Sequence, residues 1–275
     1  MSKRAQRLTL VNSLAGLVQP VIQNRRAPER PLSEIPGFSV RNASSDTTEM
    51  LIYGTIGQAS WWDMGGVTAA DFAQQLNEIN SANIHVRINS GGGDVFDGVA
   101  IHTMLCRHSA TVTTFNDGLA ASAASFILQA GDRVVSSRYA MTMIHDASTG
   151  VYGNQADLIA EAELLGKVSD VIADVYANRA GEDVEFWRAA MRAETWYTGP
   201  EALAAGLVDE TTDPDEEDST TDRLRNSLSG WRSRFRNAPA LPPVRTPVRS
   251  SLEQESEDEY RHAMAMAHYL NLNHR

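Results

Sequence analysis

Short segments rich in alternating or continuous apolar residues are separated along the chain by longer segments with helical spacing. Residues 84–88 alternate apolar and polar side chains, which is typical of a strand. Residues 69–79 instead place Phe72, Leu76 and Ile79 on one helical face. The same patterns predict strands at 50–54, 111–115 and 139–145, and helices at 95–107, 120–130 and 158–180. This alternation predicts an α/β fold of repeated units around a mainly parallel sheet.

One junction between a predicted strand and a predicted helix carries a serine. The strand at 111–115 and the turn at 116–118 lead into a run of small and apolar residues, 118–126, that contains Ser122. At such a junction a serine hydroxyl can face a substrate while the first N–H groups of the helix face an oxyanion. The run therefore indicates a serine nucleophile. The alternative is that its small residues serve close packing at the start of the helix.

Three consecutive glycines, residues 91–93, lie between the strand at 84–88 and the helix at 95–107. Glycines allow positive φ angles and let another molecule come close to the backbone. A flexible turn is the alternative. The spacing matches neither the dinucleotide-binding fingerprint nor the P-loop, whose lysine is missing.

A histidine ends the apolar run 139–145, and an imidazole at the end of a core strand is well placed to act as a general base. An ordinary structural histidine is the alternative. Ser122 and His145 belong to separate β/α units, so only their positions in space can establish a catalytic pair.

Four segments, taken in order, match motifs of one enzyme family. Asn89–Gly93 looks like the family's Asn-Ser-Pro-Gly-Gly loop, and Gly118–Ser122 looks like its Gly-x-Ala-(Ala/Ser)-Ser nucleophile motif. Met143–His145 looks like its Met-Ile-His motif. Gly199–Asp209 looks like its closing segment, Pro-Glu-Ala…Gly-Leu-Val-Asp. Over about residues 50–210, the chain resembles the Clp-type serine peptidase family.

The resemblance implies a ClpP/crotonase-like α/β fold of repeated β-β-α units with a mainly parallel sheet. It implies that the long helix after His145 protrudes as a handle through which rings pair. We therefore expect a homo-oligomeric ring, either a heptamer or two stacked rings, and no cofactor.

The resemblance also assigns roles to individual residues. Ser122 would be the nucleophile and His145 the general base, with the backbone N–H groups of Gly92 and Ala123 forming the oxyanion hole. The substrate cleft would be lined by Gly91, Gly93 and Asp94.

The chain departs from the family pattern at two positions. Gly91 replaces the proline of the loop, which should make the loop less rigid. Glu194 lies where the family usually has the third triad residue, an Asp. A glutamate can orient an imidazole as an aspartate does, because Ser-His-Glu triads exist on other folds. The alternative is a surface glutamate, with His145 oriented by Asp146 or Asp174.

Further features resemble the phage branch of the family, the prohead or head-maturation proteases. They are Trp196 shortly after Glu194, the run Gly93–Gly98, and a long extra tail. This branch implies scaffold, capsid and portal proteins as substrates or docking partners. It also implies action within an assembling prohead in the host cytoplasm, without secretion and without a partner ATPase.

Other functions remain open at this point. The chain could be a catalytically inactive Clp-like scaffold or capsid-assembly protein, or an ATPase-dependent housekeeping Clp peptidase subunit. A Ser-Lys peptidase is disfavoured because neither of the two lysines, Lys3 and Lys167, lies at a suitable motif. A crotonase-type acyl-CoA enzyme is a more distant alternative, because such an enzyme would not need Ser122 and His145.

Composition and charge divide the 275 residues into four parts. We expect an N-terminal extension or propeptide at 1–48, the peptidase domain at 49–212, a charged Pro/Arg-rich disordered linker at 213–250 and an amphipathic tail at 251–275. The tail would bind capsid or scaffold protein, or be trimmed. The net charge of −11 disfavours a nucleic-acid partner, and apolar runs are too short for a membrane span.

Three residues invite a comparison with metal sites: His102, Cys106 and His108. His102 and Cys106 lie four residues apart on one predicted helix, but His108 would point elsewhere and a fourth ligand is not evident. The sequence therefore predicts no metal site. Because Cys106 is the single cysteine, an internal disulfide is excluded.

Overall fold

The computed structural model describes residues 37–58, 66–213, 235, 237 and 238. Their strands are β1 (Phe38–Asn42), β2 (Thr47–Ile52), β3 (Thr55–Ile56), β4 (Gly66–Val67), β5 (Asn83–Ser90), β6 (Thr111–Ala121), β7 (Arg133–Ser137), β8 (Met141–Ile144), β9 (Thr195–Thr198) and β10 (Glu210–Thr212). Their helices are α1 (Ala69–Asn77), α2 (Val95–Arg107), α3 (Ala123–Leu128), α4 (Gln155–Ala180), α5 (Val184–Arg192) and α6 (Gly199–Ala204). The predicted extension up to residue 36, most of the predicted linker and the predicted tail at 251–275 lie outside the described residues.

A mixed, mainly parallel sheet organises the fold. Its strand order is β1-β2-β5-β6-β7-β10, with β8 paired to both β6 and β9. The β1–β2 and β8–β9 pairs are antiparallel, and the other pairs of this sheet are parallel. Strands β3 and β4 form a separate two-stranded parallel sheet. The predicted α/β class and mainly parallel sheet are thus confirmed.

Strand β6 is long enough to pair with two neighbours in succession. Residues 113–116 pair with β7, and residues 119–121 pair with β8. Because β6 and β8 are parallel with Ala121 opposite Met143, the residues that follow both strands leave the sheet at the same edge. Ser90 at the end of β5 pairs with Ala120, and Thr195 at the start of β9 pairs with Ile144. Four separate chain segments therefore converge at one edge of the sheet.

The long helix α4 packs on the domain with its second half only. It begins at a capping box on Asn154 and ends at Gly181, whose φ of 89° lies in the left-handed region. Residues 155–160 are exposed, whereas Val168, Ile172 and Tyr176 are buried. The exposed first half agrees with the protruding helix that the family resemblance implies.

The sheet starts earlier in the chain than the predicted domain boundary at residue 49. Residues 38–42 form an antiparallel ladder with residues 48–52. Phe38 is buried, and its ring centroid lies 5.8 Å from that of Phe72 in the core. Residues 38–42 and 47–48 are therefore part of the sheet, because Phe38 of β1 packs in the core next to α1. The sequence prediction that assigned them to an extension is corrected here.

Candidate active site

The serine and the histidine that the sequence singled out lie next to each other. His145 Nε2 is 2.7 Å from Ser122 Oγ, which is a hydrogen-bond distance. Ser122 follows β6 and His145 follows β8, so the parallel pairing of these two strands brings the side chains together. Both residues are partly buried. A hydroxyl in contact with an imidazole nitrogen is the arrangement that activates a serine nucleophile.

Ser122 has a backbone conformation that residues other than glycine rarely adopt, with φ 55° and ψ −125°. Its N–H donates to the carbonyl oxygen of Met143 at 3.0 Å. Its own carbonyl oxygen accepts from the N–H of Ser125 at 2.9 Å and from Ser125 Oγ at 2.6 Å. Such a conformation costs on the order of 1–3 kcal/mol and persists where the surroundings fix it. Here it allows α3 to begin directly after the nucleophile candidate.

The glycine loop passes close to Ser122. Gly92 has a φ of 89°, and a Cβ atom there would lie 2.6 Å from both the carbonyl oxygen of Ala121 and Ser122 Cβ. Gly93 has a φ of 151°, and a Cβ there would lie 2.0 Å from the carbonyl oxygen of Ile56. These contacts are closer than any side chain tolerates. The glycines therefore let the loop fit between β3 and the start of α3.

The sequence interpretation expected the N–H of Gly92 to be an oxyanion donor, but in the structure this N–H already has an acceptor, and Gly92 is not among the residues that line the cavity beside Ser122 in the described part of the chain. The Gly92 N–H donates to Ser90 Oγ at 3.1 Å, and that hydroxyl donates in turn to the carbonyl oxygen of Gly54 at 2.6 Å. On the next residue, the N–H of Gly93 has no acceptor among the described residues. The loop is held from the other side, because Ile56 N–H donates to Gly92 O and Asp94 N–H donates to Ile56 O, each at 2.9 Å. The geometry thus favours Gly93 over Gly92 as the donor that the loop presents.

A cavity of about 320 Å³ opens in front of Ser122 and His145. Gly93, Asp94 and Ala123 line it, whereas Gly91 is not among its lining residues in the described part of the chain. The Asp94 carboxylate accepts from the N–H groups of Phe96 and Asp97 at 2.9 and 3.0 Å, so it caps α2. The far wall is mainly apolar and comes from α3 and α4: Phe126, Glu161, Leu164, Leu165, Val168, Ile172 and Tyr176.

Glu194 lies in the turn before β9, and its φ of 52° is in the left-handed region. Its N–H donates to the carbonyl oxygen of Met191 at 3.0 Å, which closes α5 and directs the chain into β9. Glu194 and His145 line the same second cavity, of about 280 Å³, which also shares Ala147 and Ser148 with the first. The antiparallel pairing of β8 with β9 therefore brings the predicted third residue to the predicted base.

A short piece of the chain beyond the sheet packs against this second cavity. The Phe235 ring centroid lies 5.8 Å from that of His145 and 5.7 Å from that of Trp196, both in edge-on geometry. Asn237 donates from its backbone N–H to Glu194 Oε1 at 2.6 Å and from Nδ2 to the carbonyl oxygen of Ala193 at 3.0 Å. The sequence interpretation placed these residues in a disordered linker; the contacts place them at the candidate site.

The two alternative partners of the imidazole are engaged elsewhere. The Asp146 carboxylate forms an ion pair with Arg188, whose Nε also lies 2.8 Å from Asp170 Oδ1. Asp174 accepts from Asn178 Nδ2 at 3.0 Å on its own helix. Burial raises the pKa of Asp174 above its ordinary value, although the hydrogen bond from Asn178 acts in the opposite direction. Glu194 lines the second cavity together with His145 and Asp146, and its carboxylate accepts from the backbone N–H of Asn237 rather than pairing with Arg188.

Two groups of residues at the site were missed from sequence. Ser125 and Tyr176 contact each other at 2.7 Å behind the nucleophile candidate. The signal for Tyr176 was a hydroxyl on the buried stripe of α4 that also carries Val168 and Ile172, eight and four residues earlier. Phe235 carried no comparable signal, since it lies in an Arg-rich segment whose composition is typical of a linker.

Two of the three residues that the sequence compared with metal ligands lie close together. His102 Nδ1 lies 3.8 Å from Cys106 Sγ in the buried face of α2, and His108 is not part of this contact. Within residues 37–58 and 66–213, no group of three or more His, Cys, Asp or Glu side chains is arranged to hold a metal ion. The helices of the described residues are also too short or too polar to cross a membrane.

Comparison with known proteins agrees with this geometry. The family model described as Clp protease matches residues 65–215. ATP-dependent Clp protease proteolytic subunit 2 of Rhodococcus jostii (strain RHA1) is 35% identical over 133 residues, which is 47% of this chain and 67% of that protein. The ATP-dependent Clp protease proteolytic subunit of Arabis hirsuta is 30% identical over 175 residues, which is 60% of this chain and 89% of that protein. Because the family model spans more than half of its length, this chain belongs to the Clp protease family.

Proposed function

We propose that the protein is a serine endopeptidase that hydrolyses peptide bonds through an acyl-enzyme on Ser122. The observation that carries this proposal is the 2.7 Å contact between His145 Nε2 and Ser122 Oγ at the mouth of a cavity. The family match supports the same reaction class. A phosphate-dependent or metal-dependent reaction would not require this pair.

In the proposed mechanism, Ser122 Oγ attacks the carbonyl carbon of the scissile peptide bond while His145 Nε2 takes its proton. The oxygen of the tetrahedral intermediate accepts hydrogen bonds from the N–H groups of Gly93 and Ala123, each worth about 3 kcal/mol of transition-state stabilisation. His145 then gives its proton to the leaving amine. Water attacks the acyl-enzyme with His145 as base, and this step releases the acid product and restores Ser122.

Glu194 has the role of the third triad residue in this proposal. Its carboxylate would orient the His145 ring and stabilise the imidazolium that forms during the attack. The shared cavity of Glu194 and His145 supports this role, as does the engagement of Asp146 with Arg188. The hydrogen bond from Asn237 limits the orientations that the Glu194 carboxylate can take.

We further propose that the enzyme is a phage prohead protease that cleaves scaffold, capsid or portal proteins inside an assembling shell in the host cytoplasm. Support comes from Trp196 next to the Glu194 turn and from the long segment beyond the family match, which ends at residue 215. Phe235 and Asn237 belong to that segment and contact the site. Such an enzyme would work without a partner ATPase.

A second candidate is a proteolytic subunit that depends on an ATPase. It is favoured by the names of the relatives, which are ATP-dependent Clp protease proteolytic subunits. In either role the chain would act as a homo-oligomeric ring, heptameric or doubled. The exposed apolar side chains on the first half of α4, Leu158, Ile159 and Leu164, support pairing through that helix.

The first experiment treats purified protein with a fluorophosphonate and records intact masses. We expect one adduct on the wild type and none on Ser122→Ala. Ser148→Ala is the matched control, because Ser148 lines the same cavity and is exposed, and it should be labelled like the wild type. Labelling of Ser122→Ala would contradict the assignment. Cleavage of a purified prohead scaffold protein without any ATPase would then separate the prohead role from the ATPase-dependent one.

A further inference from the structure

Two buried hydroxyl groups, those of Ser125 and Tyr176, lie one after the other behind the peptide bond that follows Ser122. Ser125 Oγ donates to the carbonyl oxygen of Ser122 at 2.6 Å. The phenolic oxygen of Tyr176 lies 2.7 Å from the same Ser125 Oγ. Because the one proton of Ser125 is directed at the carbonyl, the Tyr176 hydroxyl is the donor of this second bond. A chain of hydrogen bonds thus runs from α4 to the residue that carries the nucleophile.

These hydrogen bonds hold the carbonyl group of Ser122, which belongs to the same peptide unit as the N–H of Ala123. A trans peptide is planar, and its C=O and N–H point in opposite directions. Fixing the Ser122 carbonyl from behind therefore fixes the direction of the Ala123 N–H, and Ser122 and Ala123 both line the substrate cavity. Donors that polarise the carbonyl also strengthen the N–H of the same peptide unit as a donor.

The local backbone needs such support. Ser122 has a φ of 55°, and its N–H is held by Met143 on the other side. Relaxation of the strained φ would rotate the peptide unit between Ser122 and Ala123 and turn the N–H away from the cavity. The Ser125 N–H also donates to the Ser122 carbonyl. This second bond is an ordinary backbone bond of the first turn of α3, which any residue at position 125 except proline would make.

Both hydroxyls are shielded from water. Ser125 is 0% exposed and Tyr176 is 1% exposed. Burial is the main cause that raises the pKa of Tyr176, so its hydroxyl stays protonated and keeps its role as donor throughout the working range. The Tyr176 ring is fixed in turn by Trp187, with ring centroids 5.7 Å apart. The pair is thus a rigid support rather than a solvated contact.

We propose that Ser125 and Tyr176 are positioning residues that aim the Ala123 N–H at the oxyanion. This proposal rests on the proposed function of Ser122 as nucleophile. Ser125 is not among the residues that line the cavity in the described structure, and Tyr176 lines it but would keep its ring in a Tyr176→Phe variant. Removal of either hydroxyl should therefore slow the chemical step and leave ligand binding unchanged.

The test measures phosphonylation of Ser122 by a fluorophosphonate over a range of reagent concentrations. The maximal inactivation rate reports chemistry, and the half-saturating concentration reports binding. Loss of one oxyanion donor lowers rates about 100- to 1,000-fold, so misdirection of one donor should lower the maximal rate about 10-fold in Ser125→Ala and about 3-fold in Tyr176→Phe. The half-saturating concentration and the midpoint of the pH profile, which reports His145, should stay unchanged.

The matched control is Thr114→Val. Thr114 is also 0% exposed, and its Oγ1 donates to a carbonyl oxygen of α3, that of Leu128, at the same 2.6 Å. It does not touch Ser122, so its maximal rate should equal that of the wild type. A loss in Thr114→Val as large as in Ser125→Ala would show general loosening of α3 and overturn the proposal.

Two further outcomes are decisive. In the double variant, the Tyr176→Phe effect should vanish in the Ser125→Ala background, because Tyr176 acts through Ser125. Independent, additive losses would overturn the chain of bonds.

Wild-type rates in both single variants would overturn the proposal while leaving Ser122 as nucleophile. An unlabelled wild type would instead contradict the proposed function itself. If Ser125→Ala does not fold, Tyr176→Phe alone decides, since it keeps the ring.

Discussion

The backbone N–H of Asn237 donates a hydrogen bond of 2.6 Å to Glu194 Oε1, although 43 positions separate the two residues along the chain. The donor is a main-chain group, so the bond depends on the path of the chain at residue 237. Asn237 also holds the carbonyl oxygen of Ala193 through its side chain. The turn that carries the proposed third triad residue is therefore fixed by a segment outside the sheet.

Phe235→Ala should weaken this attachment. The ring packs edge-on against His145 and Trp196, and its loss should lower the free energy of unfolding by about 1–2 kcal/mol, the range of one to two aromatic contacts. Because the Glu194 turn would be held less firmly, labelling of Ser122 should slow several-fold. Urea denaturation and fluorophosphonate kinetics measure the two effects.

The control for this variant is Phe186→Ala. Phe186 is 50% exposed and packs edge-on against Trp187 with centroids 5.2 Å apart, away from the cavity of His145. It should lower stability without a change in labelling rate. Equal labelling rates in both variants would show that Phe235 contributes to stability alone.

Glu194→Gln tests the proposed triad directly. An amide cannot stabilise the imidazolium, so the rate of Ser122 labelling should fall by about 100-fold or more. Asp146→Asn should have a much smaller effect, because the Asp146 carboxylate already pairs with Arg188. Glu185→Gln, which loses an exposed ion pair with Arg192 at 2.5 Å, is the neutral control. A larger loss in Asp146→Asn than in Glu194→Gln would reassign the third residue.

The close packing of the glycine loop can be tested by comparing Gly93 with a helical glycine, Gly166. Gly93→Ala would place a methyl group against the carbonyl oxygen of Ile56, and it should abolish labelling and lower the thermal midpoint. Gly166→Ala is the opposite case, because nothing lies within 4 Å of its added Cβ on α4. It should raise the free energy of unfolding by about 0.5–1 kcal/mol. Circular dichroism melting curves and labelling of both variants give the answer, and an active Gly93→Ala would show that the loop can move away from β3.

The sequence predicted the candidate site best where a functional residue directly follows a strand. Ser122 and His145 could be paired because each ends a strand and the family motifs occur in order, and the parallel register of β6 and β8 then brings them together. The helical periodicity of residues 158–180 likewise predicted α4, whereas its protrusion was expected only from the family resemblance. These features depend on local pattern, which a single sequence carries.

What the sequence could not supply are individual hydrogen bonds and contacts that no motif encodes. The N–H of Gly92 is taken by Ser90 Oγ two residues earlier, a local choice that no motif encodes. The contact of Phe235 with His145 joins segments whose composition predicts a linker. Strand β1 was assigned to an extension because it is a short edge strand next to an Arg- and Pro-rich stretch.

The acid stability of the domain should depend in part on His108, which ends α2. Its Nδ1 accepts a hydrogen bond from the N–H of Ala110 at 3.1 Å, and a protonated Nδ1 cannot accept. Burial lowers the pKa of His108 below its ordinary value of 6.5. Below that pH the unfolded chain therefore binds more protons than the folded chain, and the free energy of unfolding falls as the pH decreases.

His108→Asn should flatten this fall. An asparagine at this position can accept from the same N–H but does not titrate, so stability at neutral pH should be kept. Urea denaturation between pH 7.5 and 5 compares the slopes, at about half-unit steps. Burial also lowers the pKa of His85, with Glu49 acting in the opposite direction, so His85→Gln measures a second and separate contribution. Identical slopes in the wild type and His108→Asn would show that His108 binds its proton equally in both states, because a shifted group must contribute to the difference.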